Sequence, residues 1–166
     1  QHGLQLFLKY FCATQRDVAS AMACCNYLAK LSGLSQKFNA QVGTIPPGVV
    51  TRWNSYITSA FEVYNRAGKI RNYANSAQCT GESKEAIKAR LKFLDDKGGF
   101  EMLHDMIVLL KPLMDITIDE EAELYITSSA VVPRLSAAKS RIDDILANAA
   151  RGDDCDGQIL NSARVK

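Results

Sequence analysis

Apolar residues recur along this chain at three- and four-residue intervals, the spacing of one face of an α-helix. Leu4, Phe7, Leu8 and Phe11 predict a short helix over residues 3–12. A longer helix starts with Thr14 as N-cap and Asp17 in the capping position. Its apolar side carries Val18, Met22, Cys25, Leu28, Ala29 and Phe38, and Gly33 can bend or end it at about 1 kcal/mol relative to Ala. Gly43, Pro46, Pro47 and Gly48 mark residues 40–50 as a linker, since Pro-Pro does not fit a helix interior. From Thr51 or Asn54 a broad stripe (Tyr56, Ile57, Ala60, Phe61, Val63, Tyr64, Ala67, Ile70) predicts a helix ending near Tyr73 and packed on two sides.

Residues 75–81 are polar and read as a loop. Ile87, Leu91 and Leu94 form the stripe of a helix over 82–95, stopped by the polar and glycine run Asp95 to Gly99. Phe100 opens a strongly apolar helix with Leu103, Ile107, Leu110, Leu113 and Met114, which Pro112 should kink or close near Lys111. Asp119, Glu120 and Glu121 read as the acidic start of the next helix, where the macrodipole favours them. That helix carries Tyr125, Ile126, Val132, Leu135, Ala138, Ile142 and Ile145, with Pro133 inside it. A last turn or helix spans 157–164, after the polar break at 152–157. No alternating strand run, internal repeat or low-complexity tract occurs. The expectation is an all-α fold of about six to eight helices, a single helical domain over 1–166 with its main part over 51–150.

Composition agrees with a folded helical domain: 47% hydrophobic and 23% charged residues, with few Gly and Pro. No apolar run approaches the ~20 residues that a membrane span needs. The chain opens inside an apolar pattern and without Met, and reads as a piece of a longer protein. Net charge is only +2, but its distribution is uneven. Residues 1–73 hold eight basic and two acidic side chains, and residues 101–123 hold seven acids against Lys111. Such asymmetry fits a polyanion-facing part beside a partner-facing part, or two helices whose solvent faces differ in sign. The five cysteines show no C-x-x-C spacing and follow no secretory signal, which points to reduced thiols in an intracellular setting, with Cys12 and Cys24 as small core residues. His2 and His104 stand alone, so no metal site is expected.

Catalytic signatures are missing: there is no phosphate-binding glycine loop, nucleophile elbow or H-E-x-x-H. The acids at 115–123 are too contiguous to converge on one helix face, and the Asp153–Asp156 run has no closing Glu for a calcium loop. One segment stands out. Thr51-Arg52-Trp53-Asn54-Ser55-Tyr56 holds the only Trp, follows the Pro/Gly segment and begins a helix, where backbone N–H groups favour phosphate. Arg forks phosphate, Trp offers a stacking face, and Thr and Asn add hydrogen bonds. A Trp anchoring a loop, with Arg52 ion-paired at the surface, is the alternative.

The T-R-W-N-S run at Thr51–Ser55, followed by Leu109-Leu110-Lys111-Pro112-Leu113, Thr127-Ser128-Ser129 and Val131-Val132-Pro133-Arg134-Leu135, resembles the hAT superfamily of DNA transposases and their domesticated relatives. His2-Gly3-Leu4-Gln5-Leu6 looks like the tail of that family's C-x-x-H-x-L-x-L motif. The resemblance spans most of residues 2–145; residues 81–99 and the tail past Arg151 match nothing in it. It implies a multi-helix insertion domain of an RNase H-like transposase, with residues 1–12 at the edge of that core. The catalytic carboxylates, and the Mg2+ or Mn2+ they bind, would then lie outside this chain, so the fragment itself has no catalytic residue and no cofactor. The resemblance places Arg52 and Trp53 at the transposon end, flanked by Thr51 and Asn54, and His2 beside the core. It further implies a DNA partner, no membrane, no small-molecule substrate and a nuclear location. A domesticated, non-catalytic scaffold of a nuclear regulator, binding a protein partner or itself, is the second reading. In it the acidic residues 101–123 are the candidate partner surface.

Overall fold

The computed structural model describes residues 16–49, 53–122 and 128–151. Among them the fold is all-α, with seven helices and no sheet: α1 Arg16–Leu34, α2 Gln36–Val42, α3 Trp53–Asn65, α4 Ala67–Asn75, α5 Gly81–Asp96, α6 Gly99–Ala122 and α7 Ser128–Arg151. A single domain is expected from the sequence; the chain gathers into two compact units, residues 1–105 and 106–166. The expected helix over 3–12, the Thr14 cap and the last turn at 157–164 lie outside the described residues.

In the first unit α1 packs against α2, α3 and α5, while α4 packs against α2, α3 and α5. The stripe predicted for α1 is largely the buried one: Met22, Cys25, Leu28 and Ala29 are at most 4% exposed. The break after α1 comes from Ser35 rather than Gly33, which sits exposed inside the helix. Ser35 Oγ accepts the Phe38 N–H at 3.2 Å as the N-cap of α2, so the chain turns and presents Phe38 edge-on to Tyr73 at 5.1 Å. Ile87, Leu91 and Leu94 line the inner face of α5 as their spacing predicts. Arg90 of α5 lies over the Tyr27 ring at 3.6 Å, a cation–π contact that ties α5 to α1.

Three expected boundaries are corrected. The helix predicted from Thr51 or Asn54 to Tyr73 divides at Arg66 into α3 and α4. Pro112 does not end its helix: α6 runs through it to Ala122. The proline forfeits one backbone hydrogen bond, and its ring is buried in exchange. Asp119, Glu120 and Glu121 therefore lie within α6 instead of opening the next helix. Pro133 likewise sits inside α7.

In the second unit Met106, Ile107, Val108 and Leu110 are buried, as is Ala138 of α7. Lys111 is 9% exposed and donates to both Asp115 oxygens, at 2.8 and 2.9 Å.

Cys24, Cys25 and Cys79 are free and buried; Cys12 lies outside the described residues. Burial pushes the Cys25 thiol well above its ordinary range, and the adjacent Cys24 adds to the shift. Burial raises Cys24 too, with Arg90 opposing. These protons are kept in the fold and lost from the unfolded chain at alkaline pH, so stability is expected to fall as pH rises above about 8.5, at up to about 1.4 kcal/mol per pH unit per thiol. Urea melts between about pH 7.5 and about 9.5 check this, with Cys25→Ala flattening the slope.

Candidate nucleic-acid interface

The segment read as a linker is a fixed strap. The helix before it continues to Val42, and residues 43–49 then cross the first unit in non-helical conformation. Ile45, only 1% exposed, is the anchor. Its N–H donates to Ser32 Oγ at 3.0 Å, and that hydroxyl donates to the Ala29 carbonyl at 2.8 Å. Asn39 Nδ2 donates to the Ser32 carbonyl and to Thr44 Oγ1, both at 3.0 Å. From the other side Arg66 Nη1 donates to the Val42 and Thr44 carbonyls at 3.2 and 2.9 Å, while Nη2 meets Glu62 Oε2 at 2.6 Å.

Glycine is required at two points of the strap. Gly43 has φ +91°, and a Cβ there would lie 2.4 Å from Arg66 Nη1. Gly48 passes between Asn26 and Tyr56, where a Cβ would lie 2.6 Å from Asn26 Oδ1. That Asn26 oxygen is buried and accepts no hydrogen bond among the described residues. Val49 donates its N–H to Ser55 Oγ at 2.7 Å. The strap is thereby fastened to the first turn of α3, the turn that contains Trp53 and Asn54.

Of the five residues singled out from the sequence, Trp53 is the first residue of α3 and Asn54 the second. Asn54 is half-buried, and its carbonyl accepts Thr58 Oγ1 at 3.0 Å. Thr51, Arg52, His2 and the Trp53 side chain lie outside the described residues. The strap ligands Ser32, Asn39 and Arg66 were not singled out. Ser and Asn are ordinary at helix ends, and an Arg after a Glu at i,i+4 reads as a surface pair.

Charge in this unit is partly consumed by the fold. Arg66 is bound to the strap and Glu62, and Arg71 pairs with Asp95 at 2.6 Å while lying 4.9 Å from the Phe100 ring centroid. Lys30, Lys37 and Lys69 are exposed, and no ion pair engages them among the described residues. They, with Arg16, are what the basic N-terminal part offers to a polyanion. An open cleft of about 440 Å3 is lined by Tyr64, Ala67, Arg71, Leu94, Asp95 and Phe100. Tyr64 stands edge-on to Phe100 at 6.3 Å and 5.7 Å from His104, which makes that histidine part of an aromatic cluster.

The acidic stretch 101–123 forms no continuous described patch. Glu101 and Asp105 are exposed one turn apart on α6, residues 106–108 and 110–112 are buried, and Asp115 is bound to Lys111. Among the described residues no group of three or more His, Cys, Asp or Glu side chains gathers where a metal ion would fit. No described helix is long and apolar enough to cross a membrane. The chain matches no family model, no curated protein and no solved structure.

Proposed function

We propose that this chain is the helical insertion part of a hAT-like transposase, or of a protein derived from one, and that it contacts DNA at the start of α3. The observation that supports this best is the strap. Four side chains (Ser32, Asn39, Arg66 and Ser55) fix residues 43–49, and Ser55 belongs to the first turn of α3, just beyond the T-R-W-N part of the run. A contact residue on a rigid element loses less entropy on binding than one on a free loop. Arg52 would hold a phosphate, Trp53 would stack on an unpaired or flipped base, and Thr51 and Asn54 would supply hydrogen bonds. Exposed Lys30, Lys37 and Lys69 would add attraction without sequence preference. In this reading DNA cleavage and strand transfer, with their Mg2+ or Mn2+, belong to a parent core outside the chain. His2 lies at the edge of that core, and the setting is the nucleus.

Fluorescence anisotropy with a duplex carrying an unpaired base at its end tests the reading. Trp53→Ala is expected to weaken binding about tenfold, within the ~1–3 kcal/mol typical of base–aromatic stacking. Arg52→Ala is expected to lower the slope of log affinity against log salt by about one. No binding at low salt, or binding indifferent to both substitutions, removes these residue roles. The second reading, a non-catalytic scaffold in a nuclear regulator that binds a protein partner or itself, is favoured by the exposed Val132, Leu135 and Leu146 on α7. Pull-down at physiological salt of one stable protein partner, without nucleic acid, is the result it expects.

A further inference from the structure

The apolar stripe of α7 is wider than the surface that covers it. Stepping about 100° per residue brings Leu135 and Leu146 within about 20° of each other, with Val132 about 60° to one side and Ala138 about 60° to the other. Ala138 is 3% exposed, and Ile142, Ile145 and Arg134 are half-buried, so that side is packed. The opposite side is open: Val132 is 62%, Leu135 45% and Leu146 54% exposed. Three of the five large hydrophobic side chains exposed among the described residues thus lie along one edge of one helix. Between them, on the same edge, Lys139 Nζ meets Asp143 Oδ2 at 2.5 Å; these side chains are 77% and 57% exposed.

The order of residues along this edge is self-complementary. From the N-terminal end its central part runs apolar, basic, acidic, apolar: Leu135, Lys139, Asp143, Leu146. Turning a second copy end over end about the midpoint between Ser140 and Arg141 sets Leu135 against Leu146 of that copy, twice. It also brings each Lys139 beside the opposite Asp143. A two-fold contact requires the same patch on both chains to fit itself in this way. A parallel pairing sets every position beside its own copy and places the two lysines together.

We propose that the open edge of α7 is the contact surface for a second copy of this chain, joined antiparallel through Leu135, Leu146 and the Lys139–Asp143 exchange. The proposal is independent of the DNA reading. A helix-on-helix contact of this extent falls in the weak class, so the measurement runs from ~10 µM to ~1 mM chain.

Sedimentation equilibrium of the full chain is expected to show a monomer–dimer equilibrium. Leu146→Glu and Leu135→Glu each shift it at least tenfold toward monomer while the helical circular dichroism stays unchanged. Lys139→Asp sets like charges against each other and weakens the dimer, and adding Asp143→Lys to the same chain restores it. Mild oxidation of a mixture of Leu135→Cys and Leu146→Cys chains is expected to give a mixed crosslinked dimer. It should exceed the dimer from either variant alone and from the parent chain with its native thiols. A chain that stays monomeric throughout this range overturns the proposal. So does a dimer indifferent to both glutamate substitutions, or a crosslink that favours identical positions.

Discussion

Replacing Phe38 by alanine is expected to cost the first unit about 3–5 kcal/mol, read as a drop in the urea midpoint with an unchanged slope. The side chain is 0% exposed and meets the Tyr73 ring edge-on at 5.1 Å. It is also one of only two buried residues on α2, a helix of seven residues. Helices this short are not stable in water by themselves and persist through tertiary packing. Loss of the ring therefore removes both a core volume and the main reason for α2 to stay helical. Since whole domains are stable by only about 5–15 kcal/mol, this one change takes a large share. Phe38→Leu, which keeps most of the buried area, should cost much less.

Gly43→Ala is expected to cost about 3 kcal/mol and, under the proposed function, to weaken DNA binding as well. Its backbone, at φ +91° and ψ 171°, lies in a region that essentially only glycine enters, at about 1–3 kcal/mol for another residue. The added methyl would sit 2.4 Å from Arg66 Nη1 and drive the guanidinium off the Val42 and Thr44 carbonyls, a further loss of about 1 kcal/mol per bond. Arg66→Ala removes the same bonds by another route. The double variant should thus be milder than the sum of the two by about 1 kcal/mol or more in equilibrium denaturation. Gly68→Ala is the control: no atom lies within 4 Å of the new methyl, the site is exposed in a helix, and stability should hold or rise. If the strap places the α3 start, Gly43→Ala lowers affinity in the anisotropy assay and Gly68→Ala does not.

Much of the helical content was legible because it depends on local spacing. Ile87, Leu91 and Leu94, or Met22, Cys25 and Leu28, mark a buried face without reference to the rest of the chain. The misplacements share a different cause. Ser35 competes with Gly33 for the end of α1, and a side-chain cap decided it. Pro112 stays inside α6 because burial offsets one lost hydrogen bond, a balance set by packing. The acids 119–121 have helix-start chemistry yet lie within α6, since electrostatic preference at a terminus is small beside core packing. At the candidate site, the residue types of the T-R-W-N-S run near the start of α3 were legible, while Arg52 itself lies outside the described residues. What holds that start in place was not. Ser32 and Ile45, or Arg66 and Val42, are partners across 13 and 24 residues, and no local pattern announces them.

Those separations also bear on how the molecule assembles. The entropy of closing a loop grows only with the logarithm of its length, by about 0.6 kcal/mol per doubling. Closures of 13, 22 and 24 residues are therefore nearly equal in cost, and each can form as soon as its helices pair. Topologies rich in such short closures fold quickly. The strap takes its geometry from residues between Ala29 and Arg66, so it can be set early, before the rest of the chain has condensed.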